Sequence, residues 1–202
     1  MDNVVALCGM CCLGKTYFLQ LCQSKGYKVL FTDFNENINR NKMFREKHSD
    51  KFLQIFYTEF VAMYKYLAVQ HKHERIIQDR FVFSDIFYEC VYLQMLDGTG
   101  INKLNEIFKV EFLRDQLKKY KVVFILGEPS SHKTILQKMC QRKNNIDILN
   151  INYVNCQYQI FNHLRTFEMD NFKFVSLTTN DLYRDSANFK IGEVVESMFI
   201  NK

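Results

Sequence analysis

One octet in this chain has residue types and spacing suited to phosphate chemistry: Gly9-Met10-Cys11-Cys12-Leu13-Gly14-Lys15-Thr16. It satisfies G-x-x-x-x-G-K-[ST]. It also follows an apolar run and precedes a stretch of helical spacing, which is the setting the pattern requires. Glycines at its first and sixth positions let the backbone turn tightly and aim N–H groups at phosphate oxygens. The helix that follows adds the positive end of its dipole. In such a loop Lys15 reaches the β- and γ-phosphates of ATP and the Thr16 hydroxyl coordinates Mg²⁺. The interior, Met10 to Leu13, is apolar for a loop of this kind, although phosphate meets the backbone there and not the side chains. The competing reading is a glycine-rich turn with a chance Lys-Thr.

Two further places carry charge where a sheet would present it. Asp33 ends an apolar run at 27–32 and could take a proton from an attacking hydroxyl. It reads equally well as a turn or helix-capping acid. Asp79-Arg80 ends the run at 75–78. A planar guanidinium binds a transferring phosphate well, and the Asp79 carboxylate could organise Mg²⁺ or its waters. A structural ion pair at a helix start is the alternative.

The elements that must position these residues follow from the apolar pattern. Five short runs, at 4–8, 27–32, 75–78, 121–126 and 172–177, read as buried strands. Segments of helical spacing lie between them at 15–24, 50–72, 83–96, 104–119, 133–142 and 152–167, with a last one at 192–199. Strands alternating with helices give a parallel sheet covered on both faces, whose ligands sit at the carboxyl ends of the strands. A chain of 202 residues without a Pro/Gly/Ser linker suits one α/β domain.

Composition narrows the partners. No run of about 18 apolar residues exists to span a membrane, and the Met1-Asp2-Asn3 start lacks the base of a signal peptide. The cytosol is the expected compartment. The seven cysteines are odd in number and scattered, which fits free thiols. Cys8, Cys11 and Cys12 lie close together but lack the fourth ligand of a closed zinc site. The net charge of +5 suits a phosphate-bearing ligand, while the basic residues form no arm for nucleic acid. His71 and His73 flank Lys72 near a helix end, His48, His132 and His163 lack partners at ligand spacing, and all five read as surface residues.

Together these pieces resemble the deoxynucleoside kinase and thymidylate kinase branch of P-loop enzymes, over nearly the whole chain. Leu30-Phe31-Thr32-Asp33 is similar to the family's L-T-E-P segment, 18 residues after Lys15, with Asp33 in place of the Glu that acts as general base on the 5′-hydroxyl. The run from Asp79 to Asp85 resembles both E-R-S-x-x-S-D of nucleoside kinases and D-R-Y-x-x-S of thymidylate kinases, and Arg80 carries over in both. Lys138, Arg142 and Lys143 resemble the basic lid over the ATP phosphates, about 138–148, and 149–154 resembles the I-P-L-E-Y-L stretch behind it. Asp147 stands near the lid acid that contacts sugar, and Gln54 near the base-reading Gln. Gln54 also reads as the polar face of the helix at 50–72. Phe81 sits where thymidylate kinases carry Tyr, yet 56–64 has no Arg for a substrate phosphate. The aromatic series at 52, 56, 57, 60, 64 and 66 reads first as a core face.

The resemblance implies a three-layer α/β/α P-loop NTPase fold with a five-stranded parallel sheet of order 2-3-1-4-5, spanning 1–202 as one domain. It implies ATP and Mg²⁺ as cofactors and a deoxynucleoside as acceptor. A monophosphate of the thymidylate type is the first alternative. An inactive nucleotide-binding relative serving as an interaction module is the second, suggested by the apolar loop interior and a lid thin in arginine. The family is often dimeric through a helical face, and a compact divergent member with AT-rich coding suits a large DNA virus.

Overall fold

A computed structural model of the protein describes residues 3–31, 70–71, 74–80, 83–142, 148–183 and 185–200. Within them the strands are β1 (Val4–Gly9), β2 (Lys28–Leu30), β3 (Ile76–Asp79), β4 (Lys121–Gly127) and β5 (Phe172–Leu177). The helices are α1 (Lys15–Ser24), α2 (Ser84–Leu96), α3 (Gly100–Lys109), α4 (Glu111–Leu117), α5 (His132–Arg142), α6 (Ile151–His163) and α7 (Ser186–Ile200). Every strand pair is parallel and the order is β2-β3-β1-β4-β5, as the apolar runs and the resemblance imply. The most central strands read as unbroken apolar runs because they are buried on both faces. All of β1 is buried, and so is β4 apart from Lys121. After β1 the chain first builds one side of the sheet and then crosses to the other at β4. The crevice at the carboxyl ends of β1, β3 and β4 is therefore the topological switch point, where open α/β sheets bind ligands.

Helices cover the sheet as an amphipathic layer on each side. On one side α1 and α7 lie together, with Gly192 against Phe18. On the other, Phe87 of α2, Phe124 of β4 and Phe161 of α6 are fully buried and meet at ring-centre distances of 5.9, 6.1 and 6.5 Å. Each such aromatic pair adds about 0.5–1.5 kcal/mol beyond its burial.

Three elements depart from the apolar pattern, each for a local reason. The edge strand β2 covers only 28–30, because Tyr27 belongs to the turn that ends α1. Its N–H donates to Cys22 O at 3.1 Å while Gly26 takes φ 88°. The helix expected over 104–119 is two helices, broken where Val110 is extended (φ −74°, ψ 105°). The buried positions Leu104 and Phe108 are followed by Leu113 and Leu117 on the core side, a step of five that one continuous helix would rotate away from the core. The break restores the phase. The last helix begins at Ser186, ahead of the apolar run that announces it. The helix expected over 50–72 and its aromatic series lie outside the described residues, except at its end.

Helix α3 starts closely against α2. A Cβ on Gly100 would stand 2.0 Å from the Cys90 carbonyl oxygen and 2.7 Å from Gln94 Cβ. Gly→Ala inside a helix ordinarily gains about 0.5–1 kcal/mol, whereas forcing atoms into a packed contact costs about 1–3 kcal/mol. Gly100→Ala is therefore expected to destabilise the fold by about 1–2 kcal/mol net in urea unfolding. A stabilised variant would contradict this packing.

Candidate functional site

β1 delivers the octet at its carboxyl end. Gly9 takes φ 108°, and a Cβ there would stand 2.2 Å from Ile125 O and 2.6 Å from Ile125 N of β4, so only glycine fits. Met10 then leaves the sheet, its N–H donating to Ile125 O at 3.0 Å. Its buried sulfur accepts the Gly127 N–H at 3.2 Å. Met10, Cys11 and Leu13 are buried and Cys12 is half-buried. The apolar side chains of the octet's interior are thus largely part of the core. Cys12 (φ 55°) and Gly14 (φ 81°) supply the left-handed turns that coil the loop.

Helix α1 begins without a side-chain cap at Gly14 and without an acid in its first turn. Its leading N–H groups therefore suit an anion, and a Cβ on Gly14 would meet nothing within 4 Å. The Lys15 ammonium folds over the loop, donating to Gly9 O at 3.3 Å and to Met10 O. Burial, and next the charge of Arg80, lower the Lys15 pKa from the usual lysine value. A cation desolvated in this way attracts a phosphate more strongly than one in water does. Among the described residues no group of three or more His, Cys, Asp or Glu could hold a metal, the three cysteines near the loop included. Mg²⁺ at this loop would take most of its ligands from phosphate and water, with Thr16 and Asp79 the protein oxygens at hand.

β3 ends beside the loop. Asp79 pairs in register with Leu7 of β1, and the Arg80 N–H donates to Leu7 O at 2.8 Å. Arg80 takes φ 69°, a left-handed conformation uncommon outside glycine and concentrated at functional sites. Its guanidinium lies 5.7 Å from the ring centre of Tyr88, within cation–π range. The Tyr88 hydroxyl donates to Gly9 O at 2.8 Å, and burial holds its pKa well above the usual tyrosine value, so it remains a donor. Burial raises the Asp79 pKa, against the charges of Arg80, Lys15 and Arg142. Lys15, Asp79, Arg80 and, at the end of α5, Arg142 thus share one electrostatic site.

Lys138 faces elsewhere. Its ammonium donates to Leu182 O at 2.7 Å and stands 5.6 Å from the Tyr183 ring centre. There it borders a cavity of about 430 Å³ beside the loop, lined among others by Leu13, Gly14, Tyr17, Asp181 and Tyr183. Asp181 organises the cavity wall. It accepts from Thr178 N–H and hydroxyl (both 2.8 Å), from Ser186 (3.0 Å) and from Lys190 (2.8 Å).

Of the residues singled out from sequence, the structure brings Gly9 to Thr16, Asp79, Arg80 and Arg142 together and sets Lys138 at the cavity rim. Asp33, Gln54, Phe81 and Asp147 lie outside the described residues. Tyr88 and Asp181 were missed. Tyr88 sits on a helix whose pattern marks only a core face, while the Thr178-Thr179-Asn180-Asp181 turn after β5 was a usable signal for Asp181. His132, expected at the surface, is buried. Its Nδ1 lies 2.7 Å from Asn155 Oδ1 and its Nε2 3.1 Å from Gly127 O.

Asp181 makes the wall pH-dependent. Burial opposes its ionisation, but Lys190, Thr178 and Ser186 outweigh that and hold its carboxyl well below the usual carboxylate range. A depressed folded pKa contributes stability that is fully present above the unfolded value of about 3.9 and lost as pH falls toward the folded one. Asp181→Asn should cost about 1–3 kcal/mol at pH 7, with the gap to wild type narrowing below about pH 4. Urea unfolding at pH 7 and pH 3 measures this, and a gap independent of pH would contradict it.

No protein-family model and no curated protein matches the chain. Solved structures do. A deoxyadenosine kinase from M. mycoides with bound dATP superposes with a TM-score of 0.60 at 17% identity, covering 96% of this chain and 98% of that one. The same enzyme with products dCMP and a flexible dCDP gives 0.54 at 17%, covering 96% and 99%. The YorR protein from Bacillus subtilis, in complex with phosphorylated GDP, gives 0.51 at 15%, covering 96% and 95%. The chain shares the three-layer α/β/α fold of these structures, with the octet at the sheet's switch point.

Proposed function

We propose that this chain, acting as one domain over 1–202, transfers the γ-phosphoryl group of ATP–Mg²⁺ to the 5′-hydroxyl of a deoxynucleoside. The observation that carries this reading is the convergence of Lys15 in its coiled loop with Asp79 and Arg80 from the adjacent strand end. One strand end offers backbone donors and a desolvated ammonium for phosphates. The next offers a guanidinium for the group in transfer and a carboxylate for the metal's waters. The likeness to a deoxyadenosine kinase whose structures hold dATP and, separately, the products dCMP and dCDP supports a nucleoside acceptor.

When bound, ATP–Mg²⁺ supplies the electrophilic phosphoryl group. Lys15 gives up its carbonyl contacts to hold the β- and γ-phosphate oxygens, alongside the loop's N–H groups. Arg80, backed by the Tyr88 ring, steadies charge on the transferred group. Arg142 and the lid about 138–148 complete the phosphate site, and Lys138 fixes the wall beside it. Asp33 takes the proton of the 5′-hydroxyl as the new O–P bond forms and ADP departs. Gln54, Phe81 and Asp147 are assigned to the acceptor. The absence of an arginine in 56–64 favours a neutral nucleoside over a monophosphate.

An acceptor panel tests the proposal. Purified protein receives ATP–Mg²⁺ with thymidine, deoxycytidine, deoxyadenosine, deoxyguanosine or dTMP. Phosphorylated product from at least one nucleoside is expected, with turnover falling about 10²–10⁴-fold in Asp33→Asn. Transfer to dTMP alone would establish the monophosphate alternative, and no transfer with ATP bound would establish a binding module. Wild-type turnover in Asp33→Asn would remove Asp33 as the base.

A further inference from the structure

The inner edge of the octet is held by a helix with no role in the reaction above. Gln157 of α6 is fully buried, and its carboxamide engages Cys11 twice. Oε1 accepts the Cys11 N–H at 2.9 Å, and Nε2 donates to Cys11 Sγ at 3.3 Å. An apolar side chain could fill the same space but would take the acceptor from the buried Cys11 N–H. A carboxamide adds direction.

That direction falls on one peptide plane. The Cys11 N–H and the Met10 C=O belong to the same peptide unit. The N–H points at Gln157, and the carbonyl accepts from the Lys15 ammonium. Because a peptide is planar, fixing one end fixes the other. Met10 is held from the other side, by β4: its N–H donates to Ile125 O and its sulfur accepts the Gly127 N–H.

We propose that Gln157 is a positioning residue for the phosphate loop. By turning the Cys11 N–H inward it orients the Met10–Cys11 peptide, sets the resting place of the Lys15 ammonium, and keeps the coil of 12–16 ready for phosphate. The proposal rests on the reading of the octet as a nucleotide-phosphate site. Without Gln157 the Cys11 N–H would lose this hydrogen bond, and the peptide would be released to rotate, carrying the lysine's carbonyl partner with it.

Gln157→Met keeps the shape and removes both contacts. ATP–Mg²⁺ is titrated into the wild-type and variant full-length chains, and the KM for ATP and kcat are measured with the best acceptor. The expected result is a dissociation constant and a KM for ATP raised about tenfold or more, with kcat at saturating ATP within about threefold of wild type. Gln157→Glu, which keeps the acceptor toward Cys11, is expected to fall between the two. Wild-type affinity in Gln157→Met would overturn the proposal, whereas a wild-type chain that binds no ATP–Mg²⁺ would overturn the phosphate-loop reading itself. Amide hydrogen exchange on the wild-type protein needs no variant. The Cys11 N–H should be protected before any nucleotide is added, and exchange at the rate of an open-loop amide would overturn the clamp.

Discussion

The site depends on the close approach of Gly9 to the backbone of Ile125. The carboxyl end of β1 must turn out of the sheet while still paired with β4, and no Cβ can be accommodated there. The left-handed turn this permits aims the following backbone away from the sheet, with Met10 still bonded to Ile125 as it leaves. Everything downstream inherits that exit: the buried Met10 and Leu13, the uncapped start of α1, and the Lys15 ammonium resting on the carbonyls of Gly9 and Met10. The same carbonyl of Gly9 accepts from Tyr88, which links the turn to α2 and, through its ring, to Arg80.

A loop built this way divides its labour. Side chains at 10, 11 and 13 and the N–H groups of 10 and 11 belong to the core, and the backbone from 12 onward and Lys15 are left for the ligand. Apolar residues in the interior are therefore compatible with phosphate binding, provided each buried polar group finds a partner. Here the partners are Ile125 for Met10 N–H, Gln157 for Cys11 N–H, and the Met10 sulfur for Gly127 N–H. Burial still lowers the Lys15 pKa and raises that of Asp79; the charges of Arg80, then Lys15, then Arg142 oppose the shift at Asp79, and Asp79 opposes it to a smaller extent at Lys15.

Much of this was legible in the sequence because parallel strands buried on both faces read as plain apolar runs, and because the octet combines a strand, two glycines and Lys-Thr at fixed spacing. Asp79 and Arg80 could be found as charges at a strand end. Less legible were features set by contacts distant in sequence. The break at Val110 answers to the phase of a core face, the place of Lys138 to a carbonyl 44 residues away, and the burial of His132 to Asn155 on a neighbouring helix. Tyr88 looked like one more aromatic on an apolar helix, and Gln157 like a polar residue on another. Only the fold aims both at the loop.

The central claim is that residues 9–16 hold the phosphates of ATP–Mg²⁺ with Lys15 as their cation. Calorimetric titration of ATP–Mg²⁺ into the wild-type chain and into Lys15→Ala tests it most directly. The account predicts saturable one-to-one binding by wild type, weakened about 10–100-fold by loss of the charged contacts. Absent binding by wild type, or equal affinity in Lys15→Ala, would contradict it.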